Sequence, residues 1–227
     1  MTSNSSNKIG HVAIIMDGNS RWARQRNLKT IEGHKQGVNR LRDIVKYSAK
    51  SEITHLSVFA FSTENWKRSA SDVSDLMKLF LQSIIKEVPE LIENKVQLNF
   101  IGDIPRFSKS LVSQINSAMK DTQAKKPNLN LNVAISYGGR WDILNAIKRI
   151  KDHKINTDKL SEDDFSNLLS TSDFPDPDLL IRTGDEIRIS NFFLWQISYS
   201  ELYFSKLLWP DFKSVSYTHL RAHETNV

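Results

Sequence analysis

The chain contains no cysteine. Disulfides, thiolate metal centres and a Cys nucleophile are thereby excluded, and a reducing compartment, the cytoplasm, suits the composition. No run approaches the ~18 apolar residues that span a bilayer. The opening MTSNSSNKIG is polar and lacks the apolar stretch of a signal peptide. No Lys/Arg block exceeds two residues, so no nucleic-acid-binding arm is expected despite a net charge of +5. The chain has no G-x-x-x-x-G-K-[ST], no G-x-G-x-x-G and no G-x-S-x-G, which argues against P-loop, dinucleotide and hydrolase-elbow chemistry. Its six histidines are scattered without metal-binding spacing.

What is present reads as one α/β domain. The 227 residues are 39% hydrophobic and 25% charged, ordinary values for a globular chain able to bury its own core. Apolar runs at 11–16, 54–61, 96–102, 129–136 and 178–182 alternate with amphipathic stretches, and a short strand is expected at 201–205. Helices are expected at 34–51, 72–94, 108–124, 140–152 and 161–170. The pattern predicts a mostly parallel sheet of about six strands, covered by helices. Ser71 is the expected cap of the helix over 72–94, and Pro89 removes one of its backbone donors. Val73, Leu76, Met77, Phe80, Ile84, Val88 and Leu91 form that helix's apolar stripe, and Leu79, Leu81 and Ile85 widen it beyond one face. Such a helix is either buried on two sides or lines an apolar channel.

In open α/β sheets ligands sit beyond the carboxyl ends of the strands, so the residues after each apolar run carry the functional reading. After the first, IIMDGNSRWA delivers Asp17, Gly18, Asn19, Ser20, Arg21 and Trp22. A strand-end carboxylate can hold Mg²⁺ through oxygen, a glycine lets backbone N–H groups approach a phosphate, and Arg21 offers a planar phosphate fork. The competing reading is a plain turn with Asp17 as helix cap. After the second run come Ser62, Thr63, Glu64, Asn65, Trp66 and Arg68. After the fifth come Arg182, Arg188 and Ser190, suited to a diphosphate, with Glu201 further on as a possible metal ligand. Salt bridges to Asp185 and Glu186 are the alternative explanation for these arginines.

MDGNSRWA, the Gly33–His34 pair, FSTENWKR, ISYGGRWD (135–142), DLLIRTGDEIRISNFFLWQ, YSELYF and LWPDF follow one another in an order and spacing that resembles the cis-prenyltransferase family, nearest to its bacterial undecaprenyl diphosphate synthase type. The likeness covers about residues 9 to 213. It implies repeated condensation of isopentenyl diphosphate onto an allylic diphosphate, farnesyl diphosphate above all, by a Mg²⁺-dependent homodimer with a hydrophobic product tunnel. Transient contact with the inner face of the membrane, where the product is delivered to cell-wall synthesis, is implied as well. The resemblance assigns Asp17 to Mg²⁺ and to departure of the allylic diphosphate. Gly18, Asn19, Ser20 and Arg21, with His34, would grip that group. Arg182, Arg188 and Ser190 would bind isopentenyl diphosphate, and Glu201 would assist the metal. Trp22, Ser62, Thr63, Glu64, Asn65, Trp66 and Arg68 would position the substrates, with Asn65 at the proton-loss step.

Asp163 and Asp164 are followed by Phe165, Ser166 and Asn167 rather than by a D-D-x-x-D completion, so the helical trans-type prenyl synthases do not match. The chain departs from the family where Ser20 replaces glycine, Thr30 replaces arginine and Asp185 replaces a small residue. Its last stretch, 214–227, lacks the charged terminal helix the family carries and reads as a foreign tail; residues 1–8 read as a disordered start. Two other classes compete with the enzyme. A non-catalytic partner subunit would tend to lose Asp17 and the arginines. A haloacid dehalogenase-type phosphatase needs a second Asp where Asn19 stands.

Overall fold

The computed structural model describes residues 9–213. The polar start 1–8 and the tail 214–227 lie outside the described residues.

Six strands form one sheet, all parallel, in the order β3-β4-β2-β1-β5-β6. They are β1 (His11–Ile15), β2 (His55–Ser62), β3 (Val96–Ile101), β4 (Leu129–Tyr137), β5 (Leu179–Arg182) and β6 (Glu201–Phe204). The helices are α1 (Asn19–Gln25), α2 (Thr30–Ser48), α3 (Ala70–Glu93), α4 (Lys109–Asp121), α5 (Gly139–Asp152) and α6 (Glu162–Ser166). Single 3₁₀ turns at Thr63–Lys67 and Trp209–Asp211 complete the frame around the site.

All five residues of β1 are buried because both faces of the sheet are covered. Val12 and Ile14 join the larger apolar cluster with Ile44 of α2, Ile84 of α3 and Ile115 of α4. Ala13 and Ile15 point the other way, to Tyr137, Phe192 and Phe193. Phe192 and Phe193 are fully buried and stack at 4.0 Å between ring centroids, so they fill the second face without a long helix. The period of two thus divides one strand between two cores.

Three sequence expectations shift. α2 starts at Thr30, one turn before 34, behind the extended Lys29. The helix expected over 161–170 contracts to Glu162–Ser166, closed by a capping box between Ser161 and Asp164. The cap of α3 is Ser69, not Ser71: the Ser69 Oγ accepts from the Asp72 N–H at 3.2 Å. Either serine fits the start of the apolar period, but Ser69 has the extended backbone a cap requires, which puts Asp72 at the third helical position. α3 runs on through Pro89.

β1 is flanked by β2 on one side and β5 on the other. The chain leaving β1 returns through β2, whereas that leaving β5 proceeds to β6 on the opposite flank. The crevice beyond the carboxyl ends of β1 and β5 is therefore a topological switch point, where parallel sheets bind ligands.

Candidate active site

Asp17 lies two residues beyond the end of β1 and Arg182 is the last residue of β5, in register with Ile15. Arg182 Nη2 donates to Asp17 Oδ2 at 2.8 Å, and Arg182 is only 4% exposed. Its Nη1 donates to the Arg188 carbonyl at 2.6 Å and to Ser190 Oγ at 2.5 Å, while Nε has no partner. A guanidinium carries five N–H donors, so Arg182 braces the strand ends and still keeps hydrogen atoms for a ligand. Arg21, one helical turn beyond Asp17, approaches the same carboxylate at 3.3 Å and Glu186 at 3.8 Å. Glu186 also pairs with Arg188 at 2.8 Å. The salt-bridge reading of Arg188 thus describes part of its environment, while Asp185 sits exposed beside it.

Asp17 is not a helix cap. The cap residue is Gly18, at φ +111°, and no side chain caps α1. A Cβ there would stand 2.9 Å from the Leu208 backbone, so both conformation and space demand glycine. The Asp17 carbonyl is held by the Trp209 N–H at 3.0 Å and by Thr183 Oγ1 at 2.7 Å. Trp209 is fully buried and donates its indole N–H to the Gly37 carbonyl at 2.9 Å. A Cβ on Gly33 would lie 2.0 Å from the Asn19 carbonyl oxygen, so α1 and α2 touch backbone to backbone. Gly37, Thr183 and Trp209 therefore position the carboxylate, and sequence reasoning gave none of them that role. Their only signal is small or aromatic character, which acquires meaning once α1 lies against α2.

A cavity of about 720 Å³ opens beside this pair. Asp17, Asn19, His34, Ser62, Glu64, Asn65, Arg68, Arg182 and Ser190 line its polar part. The rest is apolar, between β2, β3 and β4 below and α2 and α3 above, including Val45, Phe80, Ile84, Phe100 and Val133. α3 turns Leu76, Phe80 and Ile84 to this cavity, while Ile85 points outward and is 57% exposed.

His34 reaches the polar part with Nε2 buried and unpartnered. Burial first, then the charge of Arg68, lowers its pKa to about 4, with Asp72 opposing, so the ring is neutral at pH 7. Asn19 Oδ1 is likewise buried without a partner. These two orphaned polar atoms and Arg182 Nε, all from residues that line one cavity, mark a place prepared for a polar ligand. Asn65 Oδ1 accepts the Ser62 N–H at 3.0 Å, closing a capping box on the 3₁₀ turn, so its NH₂ is the end left for substrate. Glu64 is raised by burial, but hydrogen bonds from its own backbone, Asn191, Ser62 and Thr63 outweigh that and hold it below the usual carboxylate value. Asn191, which sequence reasoning passed over, donates to Glu64 at 2.9 Å and accepts from the Arg140 N–H at 3.0 Å. Ser190, Asn191 and Phe193 all have φ between +47° and +63°, a strained run of the kind found at ligand sites.

Other expected site residues stand apart from the cavity wall. Trp22 donates to Asp211 at 2.8 Å under Arg26, and Trp66 donates to Ser136 at 2.9 Å against Phe61 and Phe107. Both tryptophans brace the loops that carry the polar groups. Ser20 is half-buried in α1, and Thr30 is exposed at the start of α2. Glu201 is not brought to Asp17. It pairs with Leu179, which pairs with Val12, at the amino end of the sheet. At about 3.3 Å per residue the offset along the strands alone is roughly 16 Å. Spacing in sequence hides this, because the register of β6 decides it.

Among the described residues no three His, Cys, Asp or Glu side chains gather as a metal cage. Mg²⁺ rarely needs one; it takes one or two carboxylates and completes its shell with water and substrate phosphates. Asp17, at the mouth of a site with two orphaned polar atoms and three guanidinium groups, fits that mode.

Residues 15–223 match the family model described as putative undecaprenyl diphosphate synthase. The chain belongs to this prenyltransferase family. It is 48% identical over 202 residues to the isoprenyl transferase of Neisseria meningitidis serogroup A, covering 89% of this chain and 80% of that protein. To the ditrans,polycis-undecaprenyl-diphosphate synthase ((2E,6E)-farnesyl-diphosphate specific) of Coxiella burnetii it is 46% identical, covering 91% and 89%. The crystal structure of lavandulyl diphosphate synthase from Lavandula x intermedia, in complex with dimethylallyl diphosphate, superposes with a TM-score of 0.91 at 35% identity, covering 96% of both chains. A probable undecaprenyl diphosphate synthase from Campylobacter jejuni superposes at 0.82 with 32% identity and 97% coverage of both.

Proposed function

We propose that this chain condenses isopentenyl diphosphate repeatedly onto an allylic diphosphate, farnesyl diphosphate for preference, and releases a long Z-polyprenyl diphosphate of the undecaprenyl type. One observation carries the reading: Asp17 and Arg182, from adjacent strand ends, meet at the mouth of a cavity whose remaining wall is apolar. The polar end suits two diphosphates and the apolar end suits a growing hydrocarbon.

Departure of an allylic diphosphate needs its charge neutralised. Mg²⁺, held by Asp17, supplies part of that neutralisation when bound. Arg21, Asn19 and the backbone after Gly18 hold the departing group, with Ser20 beside them, and His34 presents a neutral ring nitrogen to it. Arg182, Arg188 and Ser190 hold the diphosphate of isopentenyl diphosphate. Its double bond attacks the allylic carbon as the C–O bond to the departing diphosphate breaks, and a proton is then lost to a diphosphate oxygen or to water. Asn65 orients this step through its NH₂; an amide is too weak a base to take the proton at neutral pH. Glu201 is given no metal role, because one chain keeps it far from Asp17. The partner-subunit reading is not favoured, since Asp17, Arg182 and Arg188 are all retained.

The edge strand β6 and its surroundings expose Leu202, Tyr203 and Leu207, and Tyr199 is fully exposed. An apolar edge of this kind invites a second copy, and a homodimer through β6 is the proposed assembly. Sedimentation equilibrium checks it: the parent protein runs as a dimer and Leu202→Glu as a monomer. Delivery of so apolar a product calls for contact with a membrane surface. No helix among the described residues is long and apolar enough to cross one.

The test is chain-length analysis of radiolabelled product from farnesyl and isopentenyl diphosphates with Mg²⁺. A long butanol-extractable product is expected, reduced about 10²–10³-fold in Asp17→Asn, the range for removing one charge-stabilising group. No incorporation by the folded parent protein overturns the reading.

A further inference from the structure

Asn191 bonds to the chain beyond two strands other than the one its own loop leaves. Its Nδ2 donates to Glu64 Oε1 at 2.9 Å, on the 3₁₀ turn after β2. Its Oδ1 accepts the Arg140 N–H at 3.0 Å and its carbonyl the Gly139 N–H at 2.7 Å, both at the start of α5, which follows β4. The loop that carries Asn191 follows β5, and the neighbouring Ser190 Oγ accepts there from Arg182 Nη1. In the sheet, β4 and β2 stand on one side of β1 and β5 on the other. The link from Ser190 to Glu64 therefore crosses the crevice at the end of β1, a span of two strand spacings, roughly 10 Å.

The residues around Asn191 are suited to seating its side chain. α5 starts behind Gly138, which has no side chain to cap it. Asn191 serves that end from across the sequence, 51 positions after Arg140. A Cβ on Gly138 would stand 2.6 Å from Asn191 Nδ2 and 2.7 Å from Thr63 Oγ1, and one on Gly139 would stand 2.6 Å from Leu194 Cγ. The two glycines of ISYGGRWD thus leave the space in which the amide lies. Asn191 sits at φ +63°, and asparagine is among the few residues that visit the left-handed region. It also joins a donor and an acceptor in one short group, which neither an ionised aspartate nor a glycine does.

The two ends of this link are two halves of one reaction. Ser190 and Arg188 hold the isopentenyl diphosphate in the reading above, and Asn65, next to Glu64, orients the proton-loss step. Asn65 Oδ1 is fixed to the Ser62 N–H, and the Glu64 carboxylate also accepts from Ser62 and Thr63, so the turn is held as a unit. Bond formation needs its reacting atoms about 3–3.5 Å apart, and a misplacement of about 1 Å costs up to roughly 100-fold in rate. Resting on that reading, we propose that Asn191 is a positioning residue: through Glu64 it fixes the distance between isopentenyl diphosphate at Ser190 and the amide of Asn65. The allylic half of the site is braced separately, with the Asp17 carbonyl held by Thr183 and Trp209. It stands outside this link.

The test sets the rate of the first condensation against affinity for the allylic substrate. Asn191→Asp keeps the oxygen that accepts the Arg140 N–H, so α5 stays capped, but it replaces the donor to Glu64 with a second carboxylate. Its kcat/KM for isopentenyl diphosphate is expected to fall about three- to tenfold, the scale of one hydrogen bond. The Kd of unreactive farnesyl thiodiphosphate, read by calorimetry, is expected to stay as in the parent protein. In a Glu64→Gln background an amide at position 64 can donate to the new carboxylate, so there Asn191→Asp is expected to cost less than about twofold. Gly138→Ala adds no charge and displaces only the side-chain ends of Asn191 and Thr63. It is expected to reproduce the loss, and it is read alone should Asn191→Asp fail to fold. An unchanged kcat/KM in either single variant overturns the proposal, as does an equal loss in both backgrounds or a matching rise in the Kd of the allylic analogue. If the parent protein condenses nothing, it is the functional reading that fails, a result separate from these.

Discussion

Asp185 occupies the left-handed region at φ +60°, next to Gly184 at φ +94°. Its N–H donates to the Ser205 carbonyl at 3.0 Å, which fixes that conformation, and its carboxylate adds negative charge to the loop carrying Arg188. A side chain is strained there and a glycine is not. Asp185→Gly is expected to raise stability by about 0.5–1 kcal/mol in urea unfolding and to lower KM for isopentenyl diphosphate severalfold. An unchanged KM would separate the charge from the site. At this scale the sequence was informative wherever chemistry and strand-end position coincided: Asp17, Asn19, Asn65, Arg182 and Ser190 all face one cavity. Trp66 and Trp22, to which the family resemblance assigns substrate positioning, spend their indole N–H groups on Ser136 and Asp211. The sequence was also silent on Asn191, because an asparagine after a serine carries no mark until the turn beneath it is folded.

At the scale of elements, period and punctuation located every strand, while helix starts drifted by a turn or less at the site. The start of α3 illustrates the cause. Ser69 and Ser71 both precede the apolar stripe, and only the backbone angle at Ser69 decides between them. Ser69→Ala is expected to cost about 1 kcal/mol, as a lost cap does, whereas Ser71→Ala stays within about 0.5 kcal/mol, as an ordinary surface change. Thermal and urea denaturation of the two variants checks the assignment, and equal losses would refute it. Glu201 shows the converse limit. Its strand was legible, but the offset of β6 along β5 was not, and one register decides whether a carboxylate is at the site or at the far edge of the sheet.

Across the whole molecule, a buried polar chain threads the sheet near its amino edge. His11 Nε2 meets Ser57 Oγ at 2.7 Å, Nδ1 faces the Pro175 carbonyl at 2.6 Å, and Asn132 donates to the same Ser57 at 3.2 Å. Burial lowers the His11 pKa to about 4, against the opposing pull of the Pro175 carbonyl and with help from His55. An unfolded histidine takes its proton near 6.5, so between that value and about 4 the unfolded chain binds more protons than the folded one. Stability is therefore full above pH 6.5 and falls as pH drops through this window. His34 shifts in the same direction. From His11 alone the loss between pH 7 and pH 5 is about 2 kcal/mol. His11→Gln is expected to be less stable at pH 7 yet to show a shallower decline, in urea titrations at the two pH values. An unaltered slope would remove His11 from the account.

The bonds from Trp209 to Asp17 and to Gly37 join residues that a ribosome makes far apart in time, 172 positions separating Trp209 from Gly37. The carboxylate leaves the ribosome long before its brace. A nascent chain can pair β1 with β2 long before Trp209 leaves the exit tunnel, but its aspartate then has no fixed aim. Competence to ionise an allylic diphosphate is thereby withheld until Trp209 has been made, and copies cut short before it lack a fixed aspartate.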